Sequence, residues 1–172
     1  AIEIYMLDTN GDYTLSARTI SYGYIGTTQT IEAGDMEGCS VDTAMSHLSD
    51  VIASDGSTVL KIYYARNLYT VTFGDNKPVE VYYGAAIPVP ADPESTEEGK
   101  VFAGWAPEVP ATMPADNLVF EATWEAGVYT ITYVINGVTE EPIPYTYGEN
   151  VATPATPRVG GLVFTGWAPE VP

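Results

Sequence analysis

Apolar and polar residues alternate along most of this chain. In Tyr69-Thr70-Val71-Thr72-Phe73, Tyr69, Val71 and Phe73 share one face and both threonines take the other. That period-2 pattern predicts a half-buried antiparallel strand. Ile2–Leu7, Leu60–Tyr64, Val79–Tyr83, Leu118–Trp124 and Tyr129–Ile135 are also rich in Tyr, Thr, Val and Ile and predict further strands. Asn10-Gly11 and Asn136-Gly137 lie between such strands and suit the positive φ angles of tight hairpins; Asp55-Gly56 marks another turn. One stretch has helical spacing. After Ser40, the apolar Val41, Ala44, Met45 and Leu48 fall on one helical face, with Ser40 or Asp42 as the cap. Asp92–Lys100 reads equally as a helical turn or a loop, because Pro93 and Gly99 interrupt it.

A second, longer period overlies the first. GWAPEVP at 104–110 recurs at 166–172, each copy following a Val-Phe-small tripeptide. Upstream, Tyr69–Phe73 echoes Tyr129–Tyr133, and Tyr83-Gly84 echoes Tyr147-Gly148. Such self-similarity marks a tandem array. Three modules are expected, at 1–67, 68–126 and 127–172, each near the lower size limit for a self-supporting core. The joints, Ala65-Arg66-Asn67 and Glu125-Ala126-Gly127, are short, which predicts little reorientation and an elongated rod. The second GWAPEVP is not followed by a counterpart of Leu118–Trp124. The third module is therefore expected to lack its last strand, and the chain to be a cut from a longer array. Enzymes seldom repeat a core signature in so short a span, whereas stalks do so routinely. The pattern points to a structural or adhesive protein.

The second and third modules resemble the Listeria–Bacteroides repeat, the B-repeat type of internalins. The residues that carry the likeness are Tyr69–Phe73, Tyr83-Gly84, the Pro88 to Pro93 spacing, Phe102–Trp105 and Phe120–Trp124. In the third module they are Tyr129–Tyr133, Tyr147-Gly148, Pro154 to Pro157 and Phe164–Trp167. The signature positions are thus Tyr69, Phe73, Phe102, Gly104, Trp105, Trp124, Tyr129, Phe164, Gly166 and Trp167. The first module is similar to a MucBP-type repeat, with Cys39 where an aromatic is usual. Both resemblances imply small β-grasp-like modules on surface proteins of Gram-positive or gut bacteria. They imply no catalytic residue and specify no ligand.

Charge narrows the partners. Six basic residues against 23 acidic ones give the 172-residue chain a net charge of −17. A polyanion of this size has no cationic footprint for nucleic acid or anionic membranes. No apolar run approaches the ~20 residues of a membrane span, and signals for export would lie outside this segment. The single cysteine, Cys39, excludes an internal disulfide and any multi-thiolate metal site, and reads as a small buried apolar residue.

The candidate chemistry is thin. Trp105 and Trp167 could offer indole platforms for sugars, but Phe-small-Gly-Trp reads better as a core plug, with the glycine admitting another backbone. Thirteen tyrosines exceed what three small cores can hold, which leaves rings such as Tyr22, Tyr24, Tyr82 and Tyr145 for contact or inter-module packing. Asp8-Thr9-Asn10-Gly11-Asp12 begins like a calcium loop, yet Tyr13 and Thr19 stand where that loop needs glycine and a carboxylate. A hairpin turn is the better reading. Glu94, Glu97, Glu98, Glu140 and Glu141 cluster without any sign of a cleft, and His47 is the only histidine. Lys61, Lys77 and Lys100 could each be tested for an isopeptide crosslink.

The expected fold is mainly β (β-rich α+β), as tandem small β-grasp-like modules, the first with one short helix. The expected function is a non-enzymatic stalk or adhesin segment on a bacterial cell surface or cell wall, without cofactor or metal. The alternatives are a module that binds host glycan or extracellular protein through exposed aromatics, or an accessory segment of a secreted enzyme. The expected partners are such host molecules and neighbouring repeats, with no nucleic acid and no membrane insertion.

Overall fold

A computed structural model describes residues 1–169. The regular elements among the described residues are strands, without a helix, so the fold is mainly β. In chain order the strands are β1 (Ile2–Leu7), β2 (Tyr13–Thr19), β3 (Thr28–Thr30), β4 (Cys39–Val41), β5 (Ser49–Val51), β6 (Leu60–Arg66) and β7 (Leu68–Phe73). They continue with β8 (Val79–Tyr82), β9 (Lys100–Ala106), β10 (Leu118–Ala126), β11 (Val128–Ile131), β12 (Val134–Ile135), β13 (Val138–Thr139) and β14 (Ile143–Thr146). Two compact units result, one of Ala1–Pro90 with Trp105–Glu121, the other of Ala91–Gly104 with Ala122–Pro172.

The same sheet is built twice in succession. The first has the order β2-β1-β6-β4 and the second β8-β7-β10-β9. A hairpin starts each one: β1 pairs antiparallel with β2, and β7 with β8. The last strand then returns parallel to the first, placing Leu60 opposite Ile2 and Leu118 opposite Val71. In the first sheet β4 covers the far side of β6, with Cys39 opposite Arg66. Alternation along the strands decides what is inside. Leu60, Ile62 and Tyr64 of β6 are buried, and Val71 and Phe73 of β7 join Val81, Ile87, Met113 and Phe120 in one apolar cluster. Phe120 and Met113 are each only 1% exposed. Complete burial of side chains this large contributes about 2–3 kcal/mol apiece. In the second unit β11 pairs with β14, and β12 with β13 across Asn136 (φ 52°) and Gly137 (φ 80°). These are the left-handed angles expected of an Asn-Gly hairpin.

Three sequence expectations need correction. The helix after Ser40 is absent. Val41 belongs to β4, and the residues after it form one turn in which Asp42 Oδ1 accepts the N–H groups of Ala44 and Met45 at 3.1 Å each. His47 then bridges to Lys61 in β6. Sheet pairing on both sides leaves room for a cap without a helix behind it, and a segment this short cannot repay the cost of helix nucleation. Tyr129–Ile135 is not one strand, because the chain leaves β11 after Ile131 and begins a separate hairpin at Val134. Asp8 makes a turn as expected, its carboxylate accepting the N–H groups of Asn10 (2.8 Å) and Asp12 (3.0 Å). These bonds hold the Asp8 carboxyl below the usual carboxylate range. The glycine of Gly-Trp, however, does not admit another backbone. Among the described residues nothing lies within 4 Å of the Cβ position at Gly104 or Gly166; their φ angles of 141° and 143° explain the residue instead.

Candidate functional site

The aromatic signature divides between the units. Trp105 packs against the core cluster of the first unit and meets Phe73 edge-on, ring centroids 4.9 Å apart. Trp167 repeats that contact in the second unit, 4.6 Å from Tyr133 and 5.2 Å from Phe164. Phe102 and Trp124 form a third edge-on pair at 5.9 Å. Both Gly-Trp copies have the same local backbone, including a cis peptide before the proline of Ala106-Pro107 and of Ala168-Pro169. The final three residues of the second GWAPEVP lie outside the described residues. Tyr69 packs on the core, while Phe164 and Tyr129 are exposed at the surface. Of the residues offered for ligand contact, Trp105 and Tyr82 are half-buried in the first unit, Trp167 and Tyr145 half-buried in the second. The Tyr145 hydroxyl accepts the Gly148 N–H at 3.4 Å.

The most regular constellation is one that alternation does not reveal. Asn67, the residue before β7, donates its N–H to Gly38 O at 2.8 Å, and its own carbonyl accepts the Tyr83 N–H at 2.9 Å. The Tyr83 ring lies flat against Gly38, so close that a Cβ there would overlap it. Sixty residues on, the set recurs within the second unit. Gly127, the residue before β11, donates to Gly99 O at 2.7 Å and accepts from the Tyr147 N–H at 2.9 Å. Tyr147 covers Gly99 as Tyr83 covers Gly38. Gly38 and Gly99 have φ angles of 66° and 74° and are buried and half-buried. Each set is therefore a glycine, a strand-leading residue and a tyrosine, linked through backbone groups and covered by a ring that requires the glycine to be bare.

Side chains bond directly to the backbone or side chains of the first set. Arg66 donates from Nε to Leu7 O (2.8 Å) and from Nη1 to Tyr83 O (2.7 Å), and Ser40 Oγ donates to Asn67 Oδ1 at 2.7 Å. Ala126 holds the place of Arg66 in the second joint. The sequence did show the Tyr-Gly echo and both short joints. The missing signal was the glycine partner, which a second echo, Glu37-Gly38 and Glu98-Gly99, would have supplied.

The N-terminal sheet has a related turn without tyrosine. Gly26 N–H donates to Ile52 O (2.9 Å) and Ile52 N–H to Thr27 O (3.0 Å), as Gly84 donates to Met113 O (2.8 Å) and Met113 to Ala85 O (2.8 Å). Ile25 thus stands where Tyr83 does. It is 67% exposed, beside Tyr22 at 93% and Tyr24 at 86%. Cys39 is half-buried, and burial pushes its thiol pKa up, which makes the thiolate scarce. Among the described residues, no group of three or more His, Cys, Asp or Glu side chains is arranged to hold a metal ion.

The family model of the Listeria-Bacteroides repeat domain matches residues 69–117 and 129–170, more than half of the chain. The chain belongs to the Listeria-Bacteroides repeat domain family. Both joint tyrosines, both Gly-Trp signatures and the Phe73–Trp105, Tyr133–Trp167 and Phe164–Trp167 pairs fall inside the two matched repeats, while Trp124 lies outside them. Two curated proteins of Evansella cellulosilytica, named "Putative membrane protein" and "Putative Gly-rich membrane protein", are each 31% identical over 115 residues. The aligned stretch takes in 59% of this chain but spans only 17% and 13% of those relatives. No solved structure matches the chain. Among the described residues no helix is long and apolar enough to cross a membrane. The matched repeats belong to a repeat-domain family rather than to a family of enzymes.

Proposed function

We propose that this Listeria-Bacteroides repeat segment is a non-enzymatic spacer in a bacterial surface protein, with three modules meeting at residues 67/68 and 126/127. The supporting observation is the joint used twice, in which a glycine, a strand-leading residue and a tyrosine fix one repeat onto the next. Stability in such an array comes from module cores plus neighbour interfaces, and each added module extends the span. The tryptophans of this segment act as core plugs in this reading, Trp105 through Phe73 and Trp167 through Tyr133. An extracellular location agrees with relatives named as membrane proteins and with the family's occurrence as repeats.

The test is reach. With the chain grafted between a wall anchor and an epitope on encapsulated Gram-positive cells, deletion of residues 68–126 should reduce antibody access to the epitope. Equal access with and without the deletion would end the spacer reading. A second reading, adhesion, is favoured by the exposed Tyr22, Tyr24 and Ile25. It requires saturable binding to mucin-type glycans or matrix proteins that is lost in a folded Tyr22→Ser/Tyr24→Ser variant.

A further inference from the structure

The turn that presents Gly38 and Gly99 recurs ahead of the second Gly-Trp signature. Cys39 N–H donates to Met36 O at 3.1 Å, Lys100 N–H to Glu97 O at 3.4 Å, and Leu162 N–H to Val159 O at 3.1 Å. The third residue of every one of these turns is glycine, at φ 66° for Gly38, 74° for Gly99 and 80° for Gly161. Gly161 also stands the same distance ahead of Trp167 as Gly99 does ahead of Trp105. The same bond and a positive-φ third glycine also close the turns at Gly26, Gly84 and Gly148, so it is the shared spacing to the Gly-Trp signature that makes Gly161 the counterpart of Gly99. What differs is the cover. A tyrosine ring lies on Gly38 and another on Gly99, whereas nothing among the described residues lies within 4 Å of the Cβ position at Gly161, which is exposed.

We propose that Gly161 is a docking socket whose occupant is the tyrosine of a Tyr-Gly turn in another repeat of this family. The chemistry is that of the two filled sockets. The Gly161 carbonyl accepts the N–H of the residue that leads the incoming repeat's first strand, and that residue's carbonyl accepts the tyrosine N–H. The phenol ring then closes over the bare Cα, a position that any side chain would block. Selection is for shape and backbone geometry, so the occupant has a flat ring followed by a residue tolerant of positive φ, as Gly84 and Gly148 are at 74° and 85°. The curated relatives extend far beyond the aligned stretch, which covers 17% and 13% of them, so chains bearing such repeats have further sequence to offer. The inference rests on the repeat-segment reading. Its test follows a single turn, however, so its failure would leave the reach of the segment on cells untouched, and the reverse also holds.

Asparagine tolerates positive φ better than other side chains while adding a Cβ, so it separates blocking from backbone strain. Gly99→Asn in the 172-residue chain should speed amide exchange at Tyr147 by about tenfold or more, and Gly161→Asn should leave exchange throughout that chain unchanged. Appending a second copy of residues 111–172 after Pro172 supplies an occupant. The copied tyrosine amide should then be protected to a degree similar to Tyr147, and Gly161→Asn should remove that protection while sparing Tyr147. The proposal is overturned if the copied tyrosine exchanges equally with and without Gly161→Asn, whether or not the added copy folds. It is also overturned if Gly99→Asn leaves Tyr147 protected. Should Gly161→Asn instead dissolve a dimer of the unextended chain in sedimentation, the occupant is a second copy and the proposal fails in favour of self-association.

Discussion

Tyr133 holds in the second repeat the place that Phe73 holds in the first, and the extra oxygen matters. The ring is buried against Trp167, and its hydroxyl has no hydrogen-bond partner among the described residues. An unsatisfied buried hydroxyl costs on the order of 1 kcal/mol or more, so Tyr133→Phe should raise the stability of the second unit by about 1 kcal/mol, read from urea unfolding. The opposite response is expected at Phe120, which stacks on Phe73 at 4.9 Å in the centre of the first core. Phe120→Ala should cost about 3–5 kcal/mol in the same measurement, since the cavity adds to the lost transfer energy. Tyr13 donates its hydroxyl to Asp42 at 2.8 Å. Burial first, and then this bond, push the phenol pKa up to about 12. The protonated phenol is thus favoured by folding, and its contribution is complete below pH ~10 and lost as pH rises through ~12. Asp42 behaves in the opposite sense. The Tyr13 hydroxyl, then the Met45 and Ala44 N–H groups, lower its pKa, so its contribution is present at neutral pH and lost as pH falls through that lowered value. Tyr13→Phe should remove the high-pH phenolate from the absorbance titration and move the Asp42 carboxyl back toward its ordinary value by carbon NMR.

At the level of elements, the strands were the most legible part of the sequence. β1 coincides with the expected Ile2–Leu7, and β7 and β10 exceed the expected segments by one and two residues. Alternation reports burial on one face, which β7 and β10 show, whereas β1 is half-buried along its whole length. The helix misreading at Val41–Leu48 shows where that logic stops. Spacing identifies a possible face, but Met45 is exposed, and Val41 is drawn into pairing with Tyr64 of β6. Long-range pairing is not visible in a local window. Asp42→Ala should therefore melt the turn without altering helix content: exchange at Ala44 and Met45 should quicken while far-ultraviolet circular dichroism stays the same. The joints were legible only in part. Tyr83-Gly84 and Tyr147-Gly148 stood out as echoes, but their partners Gly38 and Gly99 sit in polar loops, where only the short Glu-Gly echo marks them before the chain folds back.

For the whole molecule, charge and connection set the behaviour. A net charge of −17 means that compaction works against self-repulsion. Screening shortens that repulsion to about 10 Å at about 0.1 M salt, so unfolding temperature should rise steadily between about 10 mM and about 0.5 M sodium chloride. A flat response would show that the acidic side chains are too dispersed to matter. The two joints should also differ in strength. The first has Arg66 and Ser40 in addition to backbone bonds, so Arg66→Ala should weaken protection at Tyr83 while leaving Tyr147 unaffected.

The parallel pairing of β1 with β6 has a mechanical consequence. The chain enters that sheet at Ile2 and leaves it at Arg66, on adjacent strands that run in the same direction. Tension at those two points drags the strands past one another, so the ladder from Ile2–Leu60 to Met6–Tyr64 is loaded as a row and its bonds resist together. The β7–β10 pair has the same arrangement. The antiparallel β11–β14 pair, pulled at Val128 and Thr146, is instead peeled open one bond at a time. Under drag, the early sheets should yield abruptly at high force and the β11–β14 pair gradually at low force.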